Sequence, residues 1–129
     1  MRFFLFVAAL LHALFMGAEL FPWPLPLLLK IASKKLPADP RFADARFPDA
    51  KFSKEQRELV AVIVRNAGIY NGIVCGGLLW AAFAWPQGHD VARVMLLGAV
   101  AAGVFGTVTL KSPVTALQAA VGIAGLFII

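Results

Sequence analysis

The sequence predicts an all-α fold, an integral membrane bundle of four transmembrane helices with antiparallel neighbours. Three observations predict it. Hydrophobic residues make up 60% of the 129 and charged residues only 15%, with a mean hydropathy of +0.81. Soluble domains hold about 45–50% apolar residues, and a chain this short folded in water leaves too much surface exposed to hide more. The apolar residues also fall into four long stretches, and from the second stretch onward the connections are short, which sets neighbouring helices antiparallel.

The first span is expected from about Phe3 to Phe21. A signal peptide is the alternative, but the run is longer than a typical signal core and no small-x-small cleavage pattern follows it. Pro22, Pro24 and Pro26 come next. Each removes a backbone donor and pushes its predecessor out of helical geometry, so the helix ends there, with Trp23 suited to the membrane interface. Leu27, Leu28 and Leu29, followed by Lys30, Lys34 and Lys35, suggest a short segment on the membrane surface. The stretch from Pro37 to Phe52 reads as an irregular loop with Phe42, Phe47 and Phe52 at intervals of five. Ser53 and Gln56 form a capping box for a second helix. Its apolar part, Leu59 to Trp85, is 27 residues long. At ~1.5 Å per residue that is ~40 Å, longer than the ~30 Å hydrocarbon core, so tilt or protrusion is expected. Pro86 to Asp90 is a turn, span three runs from about Val91 to Leu110, and Lys111 and Ser112 connect it to span four, Pro113 to Ile129. Ser112 suits an N-cap and Pro113 the first helical position. The whole chain, 1–129, is expected to form a single transmembrane domain.

The net charge of +5 sits between the apolar stretches, which fits anionic lipid headgroups and not nucleic acid. Eight Lys and Arg residues lie between Lys30 and Glu58; Lys111 makes nine on that side, against Arg2 and Arg93 on the other. The positive-inside rule therefore predicts a cytoplasmic connection 30–58, with both termini outside. Cys75 is the single cysteine, lies inside an apolar run and reads as a small core residue.

Polar side chains within a span are costly, and each needs a reason. Counting at ~1.5 Å per residue from the expected cytoplasmic face, Glu19, Thr107, Gln118, Arg65 and Asn66 lie ~5–10 Å deep, and His12, Tyr70 and Asn71 ~15–18 Å. All four helices thus bring polar groups to the inner half, while the outer half is apolar. His12 and Glu19 are seven apart and share a helix face; Asn66 and Tyr70, four apart, share another. Gly68, Gly72 and Gly76 form a small-residue ridge with Arg65 on the same stripe, and Ala99 with Gly103, Ala102 with Gly106, and Gly122 with Gly125 give similar surfaces. Such ridges usually pack helices, within one chain or between copies in a homo-oligomer. Two accounts of the polar residues stand open: separate interhelical hydrogen bonds, or one pocket formed by His12, Glu19, Arg65, Asn66, Tyr70, Asn71, Thr107 and Gln118. In the pocket account Glu19 is expected to pair with Arg65, and His12, Asn66, Tyr70 and Gln118 to converge. No metal-ligand spacing, phosphate loop, serine elbow or HExxH pattern occurs, so no metal and no cofactor is expected.

The segment from His12 to Trp23, HALFMGAELFPW, resembles the opening of the bacterial membrane proteins called domain of unknown function 1304. Asn66-Ala67-Gly68-Ile69-Tyr70-Asn71-Gly72 is similar to their second span, and Gly103 to Thr109 together with Gln118 to their third and fourth. The resemblance covers nearly the whole chain in order. It departs at Ala67, where members often carry Gln, and at Phe105, where they often carry Tyr; each change thins a polar pocket. The connection from Pro37 to Phe52 is also longer than usual. The resemblance implies four spans and a bacterial inner membrane, and it names no activity. Three functions remain in view: binding or transport of a small amphiphile or ion, acid–base catalysis on a lipid-soluble substrate by Glu19 and His12, and a structural or accessory subunit. Membrane lipids are the expected surroundings in all three.

Overall fold

The computed structural model describes residues 1–21, 54–110 and 113–129. The described residues form four helices: α1 (Arg2–Leu20), α2 (Lys54–Phe83), α3 (His89–Leu110) and α4 (Pro113–Ile128). The fold is an all-α bundle. Three helices, in the stretches Arg2–Leu20, Glu58–Phe83 and His89–Thr109, are long and apolar enough to cross a membrane. The fourth is apolar but has only 16 residues, ~24 Å at ~1.5 Å per residue. The expected surface segment 27–35, the phenylalanine loop, Trp23 and the caps at Ser53 and Ser112 lie outside the described residues.

The helix ends follow local chemistry. α1 stops at Phe21, whose backbone is extended (φ −87°, ψ 142°) while its N–H still bonds to the Gly17 carbonyl at 3.3 Å. That extended geometry is what a following proline requires. α2 carries Glu55 in its first turn, where an acid complements the helix dipole. It ends at Phe83, two residues short of the expected Trp85, and α3 starts at His89, two residues before the expected Val91. The turn between them is tight. The Gly88 N–H bonds to the Ala84 carbonyl at 3.0 Å, and the Ala92 N–H already bonds to the Gly88 carbonyl at 2.9 Å. Gly88 is required here, because a Cβ on it would lie 2.5 Å from the Cα of Ala81.

Packing is uneven. α1 lies mainly against α2, and α3 mainly against α4; the two pairs meet more sparingly through α2 and α3. The buried core comprises Leu5, Ala8 and Ala9 of α1, Leu78, Ala81 and Ala82 of α2, and Ala92 and Leu96 of α3. These residues gather at the end of the bundle that holds the 84–88 turn. Lipid gives helices no hydrophobic reason to associate, so close van der Waals approach through alanines does that work. At the same end the Arg2 guanidinium donates to the Trp85 carbonyl at 2.9 Å, and the Phe6 and Phe83 rings meet edge to face at 5.3 Å.

The small-residue ridges are used within the chain. Gly68 backs onto Glu19 and Leu20, Gly72 onto Met16, and Gly106 onto Thr115. Gly103 sits against the α4 backbone, where a Cβ would come within 2.8 Å of the Ala119 Cα. Gly76 faces outward with nothing within 4 Å. The remaining outer surface is apolar, with Phe3, Leu10, Ile73, Phe83, Phe105 and Phe127 all exposed, as suits helices solvated by lipid.

Candidate functional site

The polar residues of α1 and α2 meet at one side chain. His12 and Glu19 lie on the same face of α1, as their seven-residue spacing requires, and Asn71 of α2 reaches both. The Asn71 amide nitrogen donates to Oε2 of Glu19 at 2.7 Å. Its oxygen, Oδ1, lies 2.8 Å from Nδ1 of His12. With the amide so oriented, Oδ1 can only accept, and His12 carries its proton on Nδ1. His12 is buried, and its ring also meets Phe15 edge to face, with centroids 6.0 Å apart. Asn71 is buried too, so each polar group is satisfied by the others in a setting where lipid offers no partner. Gly68 and Gly72, three residues before Asn71 and one after it, let α1 come close enough for this contact.

Beyond Asn71 the two helix pairs stand apart and leave a half-open cavity of ≈ 370 Å³. It is lined by the polar residues Glu19, Tyr70, Asn71 and Gln118 and by Ala67, Val74, Gly98, Ala99 and Ala102. All four helices therefore contribute. A volume in this range suits a small organic molecule. Gly98 opens the space directly, since a Cβ there would find nothing within 4 Å. Ala67 lies among these lining residues.

The structure brings together four of the residues singled out in the sequence, Glu19, Tyr70, Asn71 and Gln118, and joins His12 to them through Asn71. It does not bring the others. Asn66 is exposed and absent from the wall. Arg65 is exposed, and no ion pair joins it to Glu19, which bonds to Asn71 instead. An exposed arginine near the end of a span can carry its charge to the headgroups along its own stem. Thr107 bonds within the α3–α4 contact: its hydroxyl donates to the Gly103 carbonyl at 2.6 Å and lies 3.3 Å from the Thr115 hydroxyl. Sequence reasoning passed over Gly98 and Val74, which carry no chemical signal. It had Ala99 and Ala102 as packing surface only.

Comparison with known proteins gives a family. A family described as "Protein of unknown function (DUF1304)" matches residues 36–129. The chain belongs to this family. An "Uncharacterized protein YpaA" from Lactococcus lactis subsp. lactis (strain IL1403) is 27% identical over 71 residues, covering 55% of this chain and 60% of that protein. The chain thus spans less than two thirds of the curated relative it matches. No solved structure matches it.

Proposed function

We propose that this protein holds a small amphiphilic molecule within the bilayer, in the cavity between its two helix pairs, as a binding or transport protein of the bacterial inner membrane. The single observation that carries the reading is the cavity itself, half-open and lined by four polar side chains together with five small or apolar residues. An amphiphile suits such a mixed lining: its polar end finds hydrogen-bonding groups that lipid does not supply, and its apolar part lies against alanine, glycine and valine. The His12–Asn71–Glu19 chain supports this by fixing the carboxylate in place, as a preorganised site requires. His12 itself stands behind Asn71 and is not in the cavity wall among the described residues. It therefore acts as a positioning residue, and acid–base catalysis by a His12–Glu19 pair draws less support.

Filling the cavity tests the proposal. Gly98→Leu places a side chain into open space. The expected result is an intact, helical, membrane-inserted protein from which a molecule found by native mass spectrometry in the wild type has been lost. If the wild type, released from native membranes without detergent exchange, carries no bound small molecule, or if Gly98→Leu retains it at the same occupancy, the proposal fails.

A further inference from the structure

We infer that the occupant's polar end is cationic: the site takes an amphipathic amine or quaternary ammonium, with Glu19 as its counter-ion and Tyr70 as its aromatic partner. This deepens the binding reading above and rests on it.

Two observations point to a positive charge. Among the described residues that line the cavity, Glu19 is the one carboxylate, and there is no Lys or Arg. Arg65 on α2 is exposed and makes no pair with Glu19, which bonds to Asn71.

The carboxylate is also held ready. Asn71 takes Oε2, and this bond leaves Oε1 outside it. Asn71 is in turn held by His12 at 2.8 Å, so the carboxylate cannot turn away without breaking a buried chain of hydrogen bonds. An anionic headgroup would meet Glu19 as a like charge, in surroundings where screening is weak. A neutral alcohol could hydrogen-bond to Glu19 but brings no charge. A cation does, and Tyr70 adds an aromatic side chain of the kind whose face attracts ammonium groups. The small or apolar lining residues, Ala67, Val74, Gly98, Ala99 and Ala102, leave room for methyl groups or a short chain beside the charge.

The experiment uses the full-length protein in lipid nanodiscs and three probes of equal chain length: hexyltrimethylammonium, hexanol and hexanoate. Retention is measured by equilibrium dialysis against empty nanodiscs of the same lipid. The wild type is expected to retain the cation over the alcohol by on the order of tenfold, the size of one charge-assisted contact, and the alcohol over the carboxylate. Glu19→Gln keeps an acceptor for Asn71 and should bring the ratio of cation to hexanol retention down to about one. Tyr70→Leu, at a position 69% exposed and so tolerant of change, should lower the same ratio several-fold. Equal retention of cation and alcohol by the wild type overturns the inference while the binding reading stands. Unchanged cation selectivity in Glu19→Gln overturns it as well. Retention of none of the three above empty nanodiscs overturns the binding reading itself. The wild-type rank order and Tyr70→Leu decide the matter even if Glu19→Gln does not fold.

Discussion

Asn71 on α2 donates its amide to Glu19 on α1 at 2.7 Å, and the same side chain holds His12 at 2.8 Å. One residue therefore ties two others, seven positions apart on the neighbouring helix, into a single chain of hydrogen bonds. Removing it strands both. Asn71→Leu is expected to destabilise the bundle by ~1–3 kcal/mol, the cost of leaving buried polar groups unpaired. Unfolding in mixed micelles, followed by circular dichroism, measures it. A double-mutant cycle of His12→Ala with Asn71→Ala should show a coupling of ~0.6–1.7 kcal/mol, the range found for hydrogen bonds in membrane bundles. Additive effects would mean that the bond contributes nothing.

Two glycines on helices of similar composition should respond in opposite ways. At Gly103 a new Cβ meets the α4 backbone, 2.8 Å from the Ala119 Cα, and backbone cannot move aside as a side chain can. Gly103→Leu should cost at least ~1–3 kcal/mol and separate α3 from α4. At Gly76 there is nothing within 4 Å, and Gly76→Ala should be neutral or stabilising by up to ~1 kcal/mol through helix propensity. Thermal unfolding of the two variants side by side gives the comparison. A stable Gly103→Leu protein would rule out the close α3–α4 contact.

The sequence made the architecture legible, and it made half of the site legible. Helix ends were marked by Pro22, Pro86 and Pro113, and the shared face of His12 and Glu19 followed from spacing alone. What the sequence leaves open is which stripe of α2 is buried. Asn66 and Tyr70, four apart, share a stripe, yet of the two only Tyr70 lines the cavity, and the buried stripe runs through Gly68, Asn71 and Leu78. A helix that is apolar all round shows no moment to settle its rotation. The pairing of Arg65 with Glu19 is undetermined for the same reason, and an arginine near the end of a span can reach the headgroups unaided. The cavity could not be read in advance. It depends on how far two helix pairs stand apart, and part of its lining is Gly98, a residue with no side chain to draw attention.

Thr107 separates membership of the site from mere proximity in depth. Its hydroxyl is engaged with Gly103 and Thr115, and it is not in the cavity wall among the described residues. Thr107→Val keeps the shape and removes the hydroxyl. The expected loss of stability is within ~1 kcal/mol, with probe retention in nanodiscs equal to the wild type. A selective loss of retention at unchanged stability would place Thr107 in the site after all.

The side from which the cavity is reached depends on topology. The buried core gathers at the end that holds the 84–88 turn, and the cavity residues Glu19, Ala67 and Gln118 lie toward the other end, where α1 stops and α2 begins. That end leads into the connection 30–58, whose eight Lys and Arg residues predict a cytoplasmic location by the positive-inside rule. Position 50 lies in the middle of this connection. In a Cys75→Ser background, Ala50→Cys in intact cells should resist a membrane-impermeant thiol reagent and react readily once the cells are opened. A cysteine added at the turn, Gln87→Cys, should show the reverse. Such a result sets the carboxylate of Glu19 in the inner half of the bilayer, so that an amphiphile would enter from the inner leaflet or the cytoplasm. Ready labelling of position 50 from outside would invert the protein and turn the cavity toward the outer leaflet.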